Sequence, residues 1–374
     1  MRIFDLNSIT FVQILCLSGM KANYIFKLAL FLALSAAVSC SSRPKYVDIG
    51  GYAQGGIYNV RFNIRDASVS KNEIAVRIDS ILTLVDTTLS GYNKASLLSR
   101  FNEGESIMPN SLFKDIYAYC HELYEETDGC VDVASGPLFD LWGFGFSNDS
   151  LPDAAAVKAA MASCGMARLK ADIDLALDDS GSLDPRELLI CPSVDATLPK
   201  LNFNAVAQGY TCDLVAEYLS SVGVKDMLVD IGEIYCAGKN PRGEGWSIGV
   251  DRPVDGNDSP GAMLDGIWNS EGRSCGIVTS GNYRKFYIRD GKKYAHTIDP
   301  RNGYPVEHHL LSASISASTA AASDAYATYC MVLGPEAAKE FILSRPDIEG
   351  YLISGSNEAM SEWASDGFSI TLNR

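Results

Sequence analysis

The sequence predicts an α+β fold, one large domain of mixed helices and strands behind an N-terminal leader. Three observations carry this. Helical and strand periodicities follow one another without the regular strand–helix–strand alternation of a doubly wound sheet. No GxGxxG follows a strand pattern and no GxxxxGK[ST] is present, so neither a Rossmann nor a P-loop unit organises the chain. The 374 residues, 47% of them apolar, suffice for one large core.

The leader comes first. From Met20 the order is Lys21, Lys27, an apolar run Leu28–Val38 and then Ser39-Cys40-Ser41-Ser42. A basic segment, a short apolar run and a small residue before cysteine make a lipoprotein signal with Cys40 as the lipidated residue. The run is short for a membrane span, and Ala37 stands where leucine is usual in such a box. A single uncleaved anchor is the alternative. Residues 1–40 are assigned to this signal, with Met20 an alternative start, 41–50 to a tether and 51–374 to the folded body. The body is expected outside the cytoplasm, on the periplasmic side, as a membrane-anchored lipoprotein.

Within the body, Ile57, Val60, Phe62 and Ile64 give a strand over 51–65. Ser70 and Glu73 form a capping box, after which Ile74, Ile78, Ile81, Leu82, Val85 and Leu89 recur at helical spacing. A second helix covers 110–127, with Phe113, Ile116, Tyr117, Cys120 and Tyr124 on one face, and stops at Asp128-Gly129. A third covers 153–164. The acidic, turn-rich stretch 171–186 reads as a surface excursion. A helix over 207–221 ends before Gly223, and strands follow at 227–236 and 246–251. Asp290-Gly291 closes a hairpin. Helices over 319–333 and 336–344 are separated by Gly334-Pro335.

The net charge of −15 argues against nucleic acid and anionic membrane surfaces as partners. An anionic ligand would need local compensation by a metal or by backbone N–H groups. Of ten cysteines, Cys16 and Cys40 fall in the leader. The other eight are scattered without a CxxC pair and read as buried thiols, one or two bridges remaining open. The four histidines have no zinc spacing, and His308-His309 reads as a solvated turn.

Five stretches hold more glycine and polar residues than a plain core needs: "SGYNKASLLSRFN" (90–102), "GCVDVASGPLFDLWGFG" (129–145), "LNFNAVAQGY" (201–210), "TSGNYRKFY" (279–287) with "HTIDPRNGYPV" (296–306), and "SDAYAT" (323–328). Singly, each has a plain reading. Asp132 suits a strand edge, Asn202 and Asn204 suit helix caps, Asp324 suits the helix dipole, and His296 suits a satisfied core histidine.

In this order the stretches resemble the ApbE family of FAD:protein FMN transferases, over nearly the whole body. "SGYNKASLLSRFN" is similar to the family's S-x-Y/W-x-x-x-S-x-x-x-x-x-N, and "VDVASGPLFDLWGFG" to its D-x-T-x-G-P-L-x-x-L-W-G-F-G. "TSGNYRKFYIRDGKKYAHTIDPRNGYPV" follows its T-S-G-x-Y-R-x-F and H-I-I-D-P-x-T-G-x-P blocks, and "SDAYAT" with "VLGPE" follows its A-D-A-x-x-T and L-G-P-E.

The resemblance implies Mg²⁺ held by Asp324 and Thr328, with Ala205 as a third ligand through its backbone carbonyl. It implies flavin contacts at Gln54, Tyr92, Cys130, Val131, Asp132, Asn202, Gln208 and Ile298. His296 falls beside the isoalloxazine or target pocket, and His296 or Asp299 is the candidate base. The chain departs from the pattern at Asn202 for aspartate, Asn204-Ala205 for Gly-Gly, Gln208 for lysine or glutamate, and Gln54 for methionine, which removes formal charge near the diphosphate.

Elementary chemistry agrees with the metal. Mg²⁺ takes hard oxygen ligands in an octahedron, commonly one or two carboxylates plus phosphate oxygens. Asp324 and Thr328, four apart, share one helix face, and no basic residue lies three or four positions from Asp324. The expected reaction is transfer of FMN from FAD to a Thr or Ser of another protein with release of AMP. The implied acceptor is a membrane electron-transfer subunit exposed on the same side. The alternatives are an FAD-binding lipoprotein without catalysis and a Mg²⁺-dependent FAD pyrophosphatase giving FMN and AMP.

Overall fold

The computed structural model describes residues 44–143, 151–193, 197–257, 259–283, 286–289, 292–356 and 359–373. The leader with Cys40 and the Asp290-Gly291 turn lie outside them. The body opens with β1 (Tyr46–Ala53) and β2 (Gly56–Asn63), paired antiparallel from Tyr46↔Asn63 to Ala53↔Gly56. The two-residue turn between them has Gln54 at φ +50° and Gly55 at φ +82°, the left-handed pair that suits the twist of a tight hairpin. This corrects the single strand expected over 51–65. Strand β1 also begins inside the stretch expected as a tether.

Helix α1 (Lys71–Leu89) has the expected capping box: the Glu73 N–H donates to the Ser70 hydroxyl and the Ser70 N–H donates to the Glu73 carboxylate. Its buried face is Ile74, Ile78, Ile81, Leu82, Val85 and Leu89, as the periodicity predicts. Two short helices and one long one follow in order: α2 (Leu97–Asn102) starting at the Ser96 cap, α3 (Ser111–Glu126) capped by Asn110, and α4 (Gly136–Leu141) with proline in its first turn. Helix α5 spans Ala154–Met161.

The 171–186 stretch is more than a surface excursion. Its charged residues face solvent, but Ile173, Ala176 and Leu183 are buried, and Leu183 bridges both Ile107 and Leu177. Helix α6 (Ala207–Ser221) precedes β3 (Met227–Asp230) and β4 (Ile234–Ala237). These two strands form a hairpin where one strand was expected over 227–236, because Ile231–Glu233 turn the chain. Then come β5 (Ser247–Asp251), β6 (Leu264–Asn269), β7 (Cys275–Gly281), the hairpin β8 (Phe286–Arg289) and β9 (Lys292–Ala295), and the small pair β10 (Ile298–Asp299) and β11 (Tyr304–Pro305). Strand β12 (Leu310–Ala317), helices α7 (Ala320–Leu333) and α8 (Pro335–Ser344), and strands β13 (Glu349–Gly355), β14 (Met360–Ala364) and β15 (Ile370–Leu372) complete the chain.

The main sheet has eight strands in the order β1-β2-β3-β4-β7-β12-β13-β14, all neighbours antiparallel. A three-stranded sheet β15-β6-β5 is separate. Because side chains alternate across a strand, neighbours on β7 and β13 serve different cores. Val278 and Leu352 join the helices, whereas Ile277, Tyr351 and Ile353 pack with Trp246, Trp268 and Phe368 of the three-stranded layer. His308 is no solvated turn residue. It is half-buried, with Nε2 2.9 Å from the Met331 carbonyl oxygen. Among the described residues no helix is long and apolar enough to cross a membrane.

Candidate active site

Helix α7 is buried nearly all round, because alanines and other apolar residues are spread over its faces rather than gathered in one stripe. Three hydrogen bonds accepted by two side chains fix its start. Thr319 accepts from the Ala322 N–H, and the Asp213 carboxylate of α6 accepts from Ala320 N–H and Ala321 N–H, each at 2.8 Å. Two glycines let other backbones approach. A Cβ on Gly209 of α6 would stand 2.3 Å from the Ala320 carbonyl oxygen, and one on Gly276 of β7 would stand 2.4 Å from the Thr319 carbonyl oxygen. The first turn of α7 is therefore wedged between α6 and the sheet.

Asp324 sits one turn further on and is 5% exposed. Its carboxylate accepts from the Gly209 N–H at 3.2 Å. Burial first, and then the nearby Asp213 carboxylate, push its pKa well above the ordinary range. Asp213 is itself raised to about 6, by burial. Among the described residues no lysine or arginine pairs with either carboxylate. The Tyr119 hydroxyl, buried without a hydrogen-bond partner, lies within electrostatic reach of both. Two neighbouring buried carboxylates with backbone donors alone are costly, and a bound cation would lower that penalty. Among the described residues no three His, Cys, Asp or Glu converge. A cation here would rest on Asp324, the Thr328 hydroxyl, the Ala205 carbonyl and oxygens of its ligand, a set suited to a hard ion.

Thr328 reaches an open cleft, which brings together residues of all five stretches except "SGYNKASLLSRFN". Cys130, Val131, Asp132, Asn202, Ala205, His296, Ile298 and Thr328 all line it. Ser280, Thr297 and Met331, not singled out from sequence, line it as well. Asp132 braces the wall. Its Oδ1 accepts from Ala134 N–H at 2.8 Å and Met166 N–H at 3.2 Å, while burial raises its pKa to about 6. The Asn202 N–H donates to the Val133 carbonyl at 2.7 Å, tying two lining segments together.

The remaining candidates, Gln54, Tyr92, Gln208 and Asp299, are not among the residues that line this cleft. Gln208 donates to the Ile231 carbonyl at 3.4 Å from the first turn of α6. Gln54, at the β1–β2 turn, donates to Thr211 Oγ1 at 2.7 Å, which docks the hairpin tip one turn along the same helix. Val206, which caps α6, makes no side-chain cap bond, and the first-turn N–H of Gly209 is instead taken by the Asp324 carboxylate. Tyr92 is 76% exposed on the loop before α2. Asp299 does not line the cleft. Its carboxylate is held by the Arg301 guanidinium at 2.9 and 3.0 Å and by the Arg301 N–H at 2.9 Å. His296 is half-buried and lines the cleft beside Thr297, whose hydroxyl donates to Asn282 at 2.7 Å.

Two positioning residues escaped the sequence reading. Asn102 clamps Leu201 with two backbone bonds of 2.8 Å, just before Asn202. Asp213 caps α7 across a separation of 107 residues, for which no local pattern gives a signal.

The chain is similar in sequence and fold to known proteins. The ApbE family model matches residues 43–352. An FAD:protein FMN transferase of Escherichia coli K12 is 30% identical over 356 residues, covering 91% of this chain and 96% of that one. An FAD:protein FMN transferase of Salmonella typhimurium is 30% identical over 343 residues, 90% of this chain and 92% of that one. Among solved structures, the flavin transferase ApbE of Vibrio cholerae superposes with a TM-score of 0.70 at 27% identity, covering 87% of this chain and 98% of its own. The apo flavinyl transferase ApbE of Pseudomonas stutzeri gives 0.71 at 28% identity, covering 87% and 96%.

Proposed function

The chain belongs to the ApbE family, and on that premise we propose that it is a Mg²⁺-dependent FAD:protein FMN transferase that esterifies a Thr or Ser of an acceptor protein. The observation that carries the reading is the buried Asp324. It has a single backbone donor, no basic partner among the described residues, and Thr328 one turn away in the cleft. Asp324, Thr328 and the Ala205 carbonyl would hold the ion. Mg²⁺ held there would withdraw charge from the diphosphate.

The chain's own residues do the rest. The segments 130–132 and 202–205, with Ile298, bind and orient FAD in the cleft. The N-terminal dipole of α6, beside Gln208, favours the diphosphate. The acceptor hydroxyl oxygen attacks the FMN-side phosphorus. Its P–O bond forms as the bond to the bridging oxygen breaks, and AMP departs with that electron pair. The hydroxyl proton passes to a ring nitrogen of His296. His296 is preferred to Asp299 because it faces the cleft, whereas the Asp299 carboxylate is occupied by Arg301. The barrier is lowered mainly by positioning and electrostatics, as in other phosphoryl transfers.

The acceptor is a membrane electron-transfer subunit with an exposed Thr or Ser, reached by an enzyme lipidated at Cys40 and held on the periplasmic side. That placement rests on the leader sequence. Incubation of the full chain with FAD, Mg²⁺ and candidate subunits, followed by in-gel flavin fluorescence under denaturing conditions, tests the proposal. A covalent fluorescent acceptor with stoichiometric AMP supports it. AMP released without any acceptor identifies a pyrophosphatase, and tight FAD retention without AMP identifies a carrier.

A further inference from the structure

The eight-stranded sheet has one narrow seam. β4 and β7 pair through only Ile234↔Ile277, Tyr235↔Gly276 and Cys236↔Cys275, the shortest ladder in the sheet. On one side lie β1 to β4, and on the other β7, β12, β13 and β14. Candidate residues lie on both sides of this seam. Gln54 comes from the β1–β2 turn, whereas Ser280 lies on β7 and α7 packs on β7 and β12. Of the eight described cysteines, only Cys236 and Cys275 lie in strands, and they face each other across this ladder.

We propose that Cys236 and Cys275 are a redox pair whose disulfide staples β4 to β7 and locks the seam beneath the site. Directly opposed residues of an antiparallel pair share a face. Both side chains belong to the core under the three-stranded layer, with Trp246, Trp268 and Tyr351. Opposed Cα atoms lie about 4.5 or 5.5 Å apart, inside the roughly 4.4–6.8 Å window of disulfides. The surroundings favour one thiolate. The neighbouring Cys236 thiol first, then the Ser316 hydroxyl and the Arg273 guanidinium, lower the Cys275 pKa against burial and the Glu349 carboxylate, and Glu349 holds Arg273 at 2.6 Å. One Arg273 nitrogen, Nη2, is buried without a hydrogen-bond partner. These features make Cys275 the attacking sulfur.

The chemistry is thiol–disulfide exchange with a small disulfide donor. The Cys275 thiolate attacks one donor sulfur, forming a mixed disulfide and releasing one donor thiolate, which takes up the proton Cys275 lost. Cys236 then attacks the Cys275 sulfur, the mixed bond breaks, and the second donor thiolate takes the Cys236 proton. Two protein thiols are oxidised and one donor disulfide is reduced to two thiols. The oxidising compartment expected from the leader is where such a bond persists.

The test uses the full chain, produced reduced and incubated with oxidised glutathione in urea low enough to open the core transiently. It is then returned to buffer, alkylated in denaturant and mapped by mass. Two fewer alkylated cysteines and a Cys236–Cys275 cross-linked peptide are expected, both reversed by a phosphine reductant. The melting temperature should rise by several degrees on oxidation in the wild type and in Cys191→Ala, but not in Cys236→Ala or Cys275→Ala. Full alkylation of both residues after this treatment, or a bond from either to another cysteine, overturns the proposal. Wild-type mapping decides the case even if the alanine variants do not fold, and it is independent of any flavin transfer.

Discussion

The Gly209 N–H points at the Asp324 carboxylate from 3.2 Å, across a contact in which a Cβ on residue 209 would meet the Ala320 carbonyl oxygen at 2.3 Å. The same glycine thus provides a donor to the candidate metal ligand and the close approach of α6 to α7. Gly209→Ala should force the helices apart. Overpacking against backbone costs about 1–3 kcal/mol, so the urea midpoint should fall at an unchanged m-value. FMN transfer should drop further than the folded fraction does, because the Ala205 carbonyl and Thr328 would no longer sit in register. Equal losses of transfer and folded fraction would separate the glycine from the site.

Asp324→Asn keeps the shape and removes the charge. Without a divalent ion, the wild-type carboxylate lies buried near Asp213 with one backbone donor, an arrangement that disfavours the anion. The asparagine variant should therefore be at least as stable as the wild type in metal-free buffer. Added Mg²⁺ should raise the melting temperature of the wild type, as any ligand of the native state does, and leave the variant unchanged. Transfer should fall by ~10²–10³. A variant markedly less stable than the wild type in metal-free buffer would show that the acid is instead paired with a cationic side chain.

His296 and Asp299 should separate by the property each change affects. His296→Asn changes a residue that lines the cleft, and transfer should fall by ~10²–10⁴, beyond any loss of folded fraction, if a ring nitrogen takes the hydroxyl proton. Asp299→Asn removes the carboxylate that holds the Arg301 side chain and N–H. Its loss should appear as stability, about 1–3 kcal/mol, with transfer reduced only through the altered turn. The reverse pattern, in paired unfolding and transfer assays, would make Asp299 the base.

Local elements with repeating or capping signals were legible. The Ser70–Glu73 box, the face of α1 and the small-residue helix around Asp324 stand where the sequence places them. The misses share a cause. Strand β12 reads "LLSASISA", alternating serines with small residues, and both its faces are covered, so neither β-branched enrichment nor an exposed polar face marks it. The Gln54-Gly55 turn was missed because a left-handed glutamine has no composition cue. Of the site, the ordered stretches could be read, but the Asp213 cap, the Asn102 clamp and the Asp299–Arg301 pairing depend on geometry that only the fold creates.

Asp132 should give the chain a stability term that weakens as pH rises. Its carboxyl pKa is lifted from 3.8 to about 6, by burial, against two opposing backbone N–H bonds. A group whose folded pKa is raised binds its proton more tightly in the native state. Its contribution is full below about pH 4, where both states are protonated, and is lost as pH climbs through 6. A shift of about two units is worth at most about 3 kcal/mol. In urea titrations from pH 4 to 8, the stability of wild type relative to Asp132→Asn should therefore decline between pH 4 and 6.5 and be flat above 7. Asparagine can still accept from Ala134 and Met166 through its carbonyl oxygen, so the loop brace survives and the comparison isolates the charge. A difference that grows with pH would mean that the two N–H donors outweigh burial, leaving Asp132 an ordinary anionic cap at the cleft wall.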